Sequence, residues 1–349
     1  MAWATLLYST EEVDDAGRAL VRGPDADTPE WLEAIKVIDN WRAAHAFPLN
    51  TMQMYLRGKA AAVNRGALVA QRIKRLSSIE KKLRDKSWLT LSQMQDIGGC
   101  RAVVDSVHQI RELVKVYEAS QIKHKPIGEN DYISHPKVSG YRSHHLIYSY
   151  FSDKNPAHNG RKIEVQLRSR LQHAWATAVE TVGTFTQQAL KSSQGERQWL
   201  RFFKLMGSVF ALKEGMPIVP HTPADRDELL RELRDCSSSL QVDTKLAAYG
   251  SALQTIETIG QRGKRFYILA LDPQAKTTEI TGYTVGELVQ ALADYSTKEQ
   301  AIQDTPGGEA VLVSVDSLQA LRTAYPNYFL DTSRFREELN SALGGRIGP

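Results

Sequence analysis

The chain has 349 residues, 42% of them hydrophobic and 24% charged, and a formal net charge of +4, which is material for one large or two ordinary globular domains. No apolar run approaches the roughly 18 residues of a membrane span, and MAWATLLYSTEEVDD does not read as a signal peptide. Two distant cysteines, Cys100 and Cys236, exclude a cysteine zinc ribbon and argue against a disulfide framework, so the expectation is a cytoplasmic protein with no membrane partner.

Taken in chain order, Trp31, Ile35, Ile38 and Trp41 recur at helical spacing and predict a helix over 28–48, ended by Pro48. Helices follow over about 51–64 and 66–84. CRAVVDSV (100–107) reads as a strand, followed by a helix near 107–120. HLIYSYF (145–151) and RKIEVQLRS (161–169) read as strands, and helices are predicted over 171–192 and 195–214. The alternation predicts an α/β or α+β domain over residues 1–215. MPIVPHTPAD (216–225) carries three prolines and marks a linker. Beyond it, a helix over about 225–260, the strands RFYILALD, TEITGYT and GEAVLVSV, and a helix over 285–299 predict a small separate α/β unit over 226–349.

Four segments carry candidate chemistry. In RKIEVQLRS, Ile163, Val165 and Leu167 alternate with Glu164, Gln166 and Arg168, so a strand would put carboxylate, amide and guanidinium on one face; an ordinary solvated face has the same pattern. RIKRLSSIEKKL (72–83), read as a helix, groups Lys74, Ser78, Lys81 and Lys82 on one side, with Arg72 at its start. Three ammonium groups and a hydroxyl there suit a triphosphate or a solvated basic face. From Arg57 to Lys86 there are ten Lys or Arg against two acids, Glu80 and Asp85, a bias towards anionic partners. In DIGGCRAVV, Asp96 before two glycines suits a Mg²⁺ ligand or a turn cap. DYISHPKVSGYRSHH (131–145) is read as a polar loop that exposes Tyr141 for base stacking.

The order R-x-K-x-x-x-S-I-x-x-K, D-I-x-G-x-R, D-Y-I-x-x-P-K-x-x-G-Y-x-S-x-H, E-V-Q-x-R resembles the RelA/SpoT synthetase domain over about 60–215. The resemblance implies a mixed sheet flanked by helices and an ATP-dependent pyrophosphokinase. Carried over by position, it implies that Arg72 stacks on adenine and that Lys74, Ser78, Lys81 and Lys82 hold the phosphates of ATP. Asp96 and Glu164 would ligate Mg²⁺, with Glu164 also the general base. Tyr141 would stack on the acceptor base, and His145, Gln166 and Arg168 would orient the acceptor and the transferring group. No His-Asp pair of a hydrolase stands upstream, so synthesis without hydrolysis is expected.

For the acceptor, the resemblance leaves GDP or GTP, giving (p)ppGpp, or the 3′ CCA end of tRNA. NWRAAHAFPLNTMQ (40–53) resembles the segment before the toxic synthetase cores. AYPNYFLDTSRF (324–335) resembles the pseudo-zinc-finger antitoxin unit of CapRel-type toxin–antitoxin fusions in phage defence. That branch implies tRNA as acceptor and a phage protein as trigger. It also suggests that Tyr325 and Tyr328, on a turn set by Pro326, plug the acceptor pocket beside Tyr141. The alternatives are a small alarmone synthetase and a nucleotide- or RNA-binding module without catalysis.

Overall fold

The computed structural model describes residues 3–23, 29–186, 190, 196–251, 253–258, 263–302, 305–315 and 317–347. Helix α1 (Thr10–Arg22) starts at a capping box between Ser9 and Glu12. The helix expected over 28–48 is two, α2 (Pro29–Ala44) and α3 (Ala46–Val63), which break at His45.

The segment read as one helix over 66–84 is a strand followed by a helix, β1 (Leu68–Ile73) and α4 (Leu76–Asp85). Cross-strand pairing overrides the local helical period here: β1 pairs antiparallel with β2 (Gly98–Val104) along its whole length. Arg72 and Lys74 therefore do not share a helix with Ser78, Lys81 and Lys82.

Next come α5 (Val107–Glu118), β3 (Lys125–Asp131), β4 (His144–Ser149), β5 (Lys162–Ser169), α6 (Arg170–Thr186) and α7 (Arg197–Lys213). The helix expected over 225–260 is α8 (Arg226–Leu240), α9 (Val242–Ser251) and strand β6 (Gln254–Thr258). The break between the helices falls at Gln241, which is left-handed with φ 51°. The chain continues through β7 (Phe266–Asp272), β8 (Thr277–Tyr283), α10 (Leu288–Ala301), β9 (Glu309–Ser314), α11 (Leu318–Ala324), a 3-10 turn (Pro326–Phe329) and α12 (Ser333–Leu343).

All nine strands among the described residues form one sheet, in the order β3-β4-β5-β2-β1-β9-β7-β8-β6. Only two residue pairs, Gln71 with Ser314 and Arg72 with Val313, join the first five strands to the last four. The 226–349 segment thus extends the same sheet. It also shares a helical core: Leu229, Leu230 and Leu233 of α8 and Phe335 and Leu339 of α12 pack with Trp175 of α6 and Phe202, Phe203 and Phe210 of α7.

The sheet buries both faces. One face packs Val165, Ile163 and Leu167 against Leu49, Met52 and Leu56 of α3 and Ile110 and Leu113 of α5. On the other, Ala70, Val311, Val313, Tyr267 and Leu269 pack under Leu321, Tyr325, Tyr328 and Phe329. The register puts Arg72, Gly99, Arg101, Glu164, Gln166, Arg168 and His145 on this second face. The candidate site and the C-terminal turn therefore occupy one surface.

Candidate active site

Strands β2 and β5 run parallel, with Gly99 opposite Glu164 and Arg101 opposite Gln166. Having no side chain, Gly99 leaves the space beside Glu164 open. Asp96 lies just ahead of β2, near enough to Glu164 for its charge to act on that carboxyl. The structure thus brings together two carboxylates separated by 68 positions in sequence.

Lys74 and Lys82 each place Nζ 2.8 Å from a different oxygen of Asp96. Burial alone would raise the Asp96 carboxyl; the two ammonium groups outweigh it and hold it well below the ordinary carboxylate range. Lys74 itself is pushed down, first by burial and then by Arg72 and Lys82, with Asp96 opposing. Lys74 reaches Asp96 from the β1–α4 connection and Lys82 from α4, so the two cations share a carboxylate without sharing a helix face. Lys81 turns to Asp85 at 3.0 Å. Leu76, Ile79 and Leu83 bury the opposite side of α4 against the N-terminal helices.

Glu164 is held from both sides. His145 Nδ1 lies 2.8 Å from one oxygen, and Gln166 Nε2 donates to the other. Burial raises the Glu164 carboxyl, but His145 and Gln166 carry it below its usual value. His145 is lowered by burial and raised more by Tyr141 and Glu164, for a net rise. Arg168 donates to Gln166 at 3.1 Å and to the Tyr141 hydroxyl at 2.9 Å, and that hydroxyl lies 2.8 Å from His145 Nε2. Tyr141, His145, Glu164, Gln166 and Arg168 form one connected network.

Tyr141 is not the exposed loop tyrosine expected from the sequence: it is 5% exposed. Gly140, at φ 95°, turns the chain inward; a Cβ there would meet the Phe203 carbonyl at 2.9 Å. The ring then packs edge-on against Tyr132, His145 and Trp175.

The sequence reading also passed over Arg101, the last residue of D-I-x-G-x-R. It is the diagonal neighbour of Arg72 on the site face. Burial, then the charge of Arg168, pull its guanidinium down to about 10. The signal for it was present: the alternation of β2 points Gly99 and Arg101 to the same side.

Tyr325 and Tyr328 are brought to this arginine end and not into the aromatic cluster around Tyr141. Both are buried in the core shared by β1, β7 and β9. The Tyr325 hydroxyl donates to the Gln71 carbonyl at 2.8 Å, its ring lies 5.1 Å from the Arg101 guanidinium, and Arg101 donates to the Ala324 carbonyl at 2.8 Å. Arg75 donates to the Tyr328 hydroxyl at 3.4 Å and pairs with Glu309. The turn forms where expected, but its docking place follows from β9 pairing with β1, which no local pattern reports. A second contact comes from α10. Glu299 accepts from the Leu76 amide at 2.7 Å, at the uncapped start of α4, and pairs with buried Arg42 at 2.9 Å.

Two hard oxygen donors facing a cationic surface suit Mg²⁺, which takes one or two carboxylates and completes its shell with phosphate and water. Asp96 and Glu164 fit that donor set. No group of three or more His, Cys, Asp or Glu forms a metal cluster among the described residues. Nor is any described helix long and apolar enough to cross a membrane.

A mixed sheet that gathers two carboxylates and several cations on one face is an arrangement suited to phosphate groups. Residues 71–187 match the family described as the region found in RelA / SpoT proteins, and that segment contains every candidate residue from Arg72 to Arg168. GTP pyrophosphokinase YjbM of Bacillus subtilis (strain 168) is 33% identical over 111 residues, which cover 31% of this chain and 52% of that protein. The probable GTP diphosphokinase RSH3, chloroplastic, of Arabidopsis thaliana is 33% identical over 114 residues, 14% of its length. The chain thus spans about half of one curated relative and a far smaller share of the other. Among solved structures, a GTP pyrophosphokinase family protein from Streptococcus pneumoniae aligns with TM-score 0.42 at 23% identity, covering 62% of this chain and 98% of its own. Small alarmone synthetase 1 from Bacillus subtilis bound to pppGpp aligns with TM-score 0.40 at 20% identity, covering 63% and 99%.

Proposed function

We propose that the protein is a pyrophosphokinase that moves the β,γ-pyrophosphate of ATP onto a nucleotide hydroxyl. The observation that carries this reading is the placing of Asp96, just ahead of β2, and Glu164, opposite Gly99 on the neighbouring parallel strand, with Lys74 and Lys82 on Asp96 and Gln166 and Arg168 beside Glu164. The acceptor oxygen attacks the β-phosphorus, the bond from that phosphorus to the α-bridging oxygen breaks, AMP leaves, and Glu164 takes the hydroxyl proton. Such transfer is mainly positioning and charge neutralisation. Lys74, Ser78, Lys81 and Lys82 would hold phosphates, with Arg72 and Arg101 flanking the donor base. Mg²⁺ at Asp96 and Glu164 would supply further positive charge at the phosphates.

The acceptor we favour is the 3′ end of tRNA, supported by the basic 57–86 block and the C-terminal turn that covers the site face. The second reading is GDP or GTP, favoured by the name of the YjbM relative. Incubation with γ-labelled ATP and either deacylated tRNA or GDP separates them: label on tRNA supports the first, label on GDP the second. Label on neither returns the protein to a binding module.

For regulation, the reading that fits best is a cover over the donor side in place of a plug in the acceptor pocket. Tyr325 lies on Arg101 and Tyr328 on Arg75, so ATP would enter only when the turn lifts. A phage protein binding the C-terminal segment better when undocked would switch the enzyme on. Tyr325→Ala should raise transfer in the full chain; an unchanged or lower rate would remove the cover.

A further inference from the structure

Of the two carboxylates, only Glu164 stands on a regular element. Residues 90–97, which carry Asp96 ahead of β2, form neither helix nor strand. Something besides a backbone ladder must therefore fix Asp96 relative to Glu164.

Two side chains grip that segment at Ser92. Asp14 of α1 accepts from the Ser92 amide at 2.7 Å with one oxygen and from the Ser92 hydroxyl at 2.9 Å with the other. Lys162 of β5 donates to the Ser92 carbonyl at 3.2 Å and to the Gln93 carbonyl at 3.4 Å. Amide, hydroxyl and carbonyl of one residue are thus all held. Burial lowers the Lys162 ammonium and the charge of Asp14 opposes the fall, so the two gripping residues also act on each other.

Alternation along β5 puts Lys162 on the same face as Glu164, two positions away. The strand that carries one carboxylate therefore also holds the segment that carries the other. Apolar packing reinforces the grip. Leu91, Met94 and Ile97 are buried with Val13, Ala16 and Leu20 of α1, and a Cβ on Gly17 would meet the Leu91 Cβ at 2.8 Å. Helix α1 lies outside residues 71–187, so the family match assigns it no part in the site. Groups that orient metal ligands from behind typically contribute about 10–100-fold to metal affinity.

We propose that Lys162 and Asp14 are positioning residues: clamped on Ser92, they set Asp96 against Glu164 and so set the affinity of the site for a divalent cation. The proposal rests on the reading of these two carboxylates as metal ligands, and it deepens that reading by bringing α1 into the site.

The test is calorimetric titration of the full chain with Mn²⁺, which takes the oxygen ligands that Mg²⁺ takes. Melting temperatures are measured alongside, so that every variant is titrated folded. Lys162→Met keeps the apolar stem and removes the ammonium, and it should weaken Mn²⁺ binding by about tenfold. Lys162→Arg restores a donor and should return to within about threefold of wild type. Asp14→Ala should match Lys162→Met, while Asp14→Asn, which can still accept from the Ser92 amide, should fall between. In an Asp96→Asn background, Lys162→Met should change the affinity no further, because its effect passes through Asp96. Wild-type affinity in Lys162→Met would overturn the proposal, as would an undiminished loss in the Asp96→Asn background or a wild type that binds no Mn²⁺. If the Mn²⁺ pattern holds and wild type moves no label from γ-labelled ATP, the clamp stands and the pyrophosphokinase reading fails. If label moves and Lys162→Met binds Mn²⁺ as wild type does, that reading stands and the clamp fails.

Discussion

The two ends of the site face satisfy their charges differently. At the carboxylate end, Asp96 and Glu164 are bound by Lys74, Lys82, His145 and Gln166, all from the same half of the chain. At the arginine end, Arg101 rests on a ring and a carbonyl, and Arg75 pairs with Glu309 and donates to a phenol, all contributed from residues 309–328. Buried Arg75 Nε, Arg168 Nε, Gln71 Oε1 and His173 Nδ1 also lack hydrogen-bond partners among the described residues. Charged hydrogen bonds are roughly twice as strong as neutral ones. One end is thus held mainly by charged partners, while at the other Arg101 is held only by a ring and a carbonyl, neutral partners that an anion can outbid.

The largest expected effect tests the first half of that contrast. Asp96→Asn or Glu164→Gln should cut transfer by about 10²–10³-fold or more while circular dichroism stays native. A variant keeping near wild-type transfer would break the view that this end holds the chemistry. Next is Glu299→Gln, which leaves Arg42 short of a counter-charge at a pair only 4% and 11% exposed. Urea unfolding should lose about 3 kcal/mol, and unchanged stability would mean that charge does not hold the C-terminal half down. Tyr325→Phe removes the hydroxyl bonded to Gln71 but keeps the ring on Arg101. It should cost about 1 kcal/mol with a small rise in transfer, and a rise as large as that of Tyr325→Ala would place the cover's grip in the hydroxyl.

The smallest effect is on pH. Both carboxyls sit below their ordinary values of 3.8 and 4.5 when folded. The stability they contribute is complete above those values and drains as pH falls through and below them. The melting temperature should hold from neutrality to about pH 5.5 and fall below about pH 4.5, less steeply in Asp96→Asn. An identical fall in that variant would remove Asp96 from the account.

What the sequence disclosed follows from the range of each signal. The Glu164, Gln166, Arg168 stripe was legible because period two within one strand sets it. The role of β1 was not, because LVAQRI runs almost directly into α4 and its strand character comes from partners at 98–103 and 313–314. Tyr141 was misread as exposed because its burial depends on Phe203 and Trp175, far along the chain. The turn at Pro326 was legible from proline alone, but its landing place on Arg101 was not. Arg101 itself needed only the alternation already applied to β5.

The junction of β1 with β9 also has a consequence in time. Arg72 meets Val313, 241 positions later (313 − 72). A ribosome adding about 5–20 residues per second needs roughly 12–50 s to span that interval. Helices and hairpins form in microseconds, so the first five strands can assemble while β1 still presents a bare edge. Each newborn molecule therefore passes through an interval in which the site face is built and its cover has not yet been synthesised. The rate of translation through the last third of the message then sets how long each new chain presents Arg101 without the turn that docks on it.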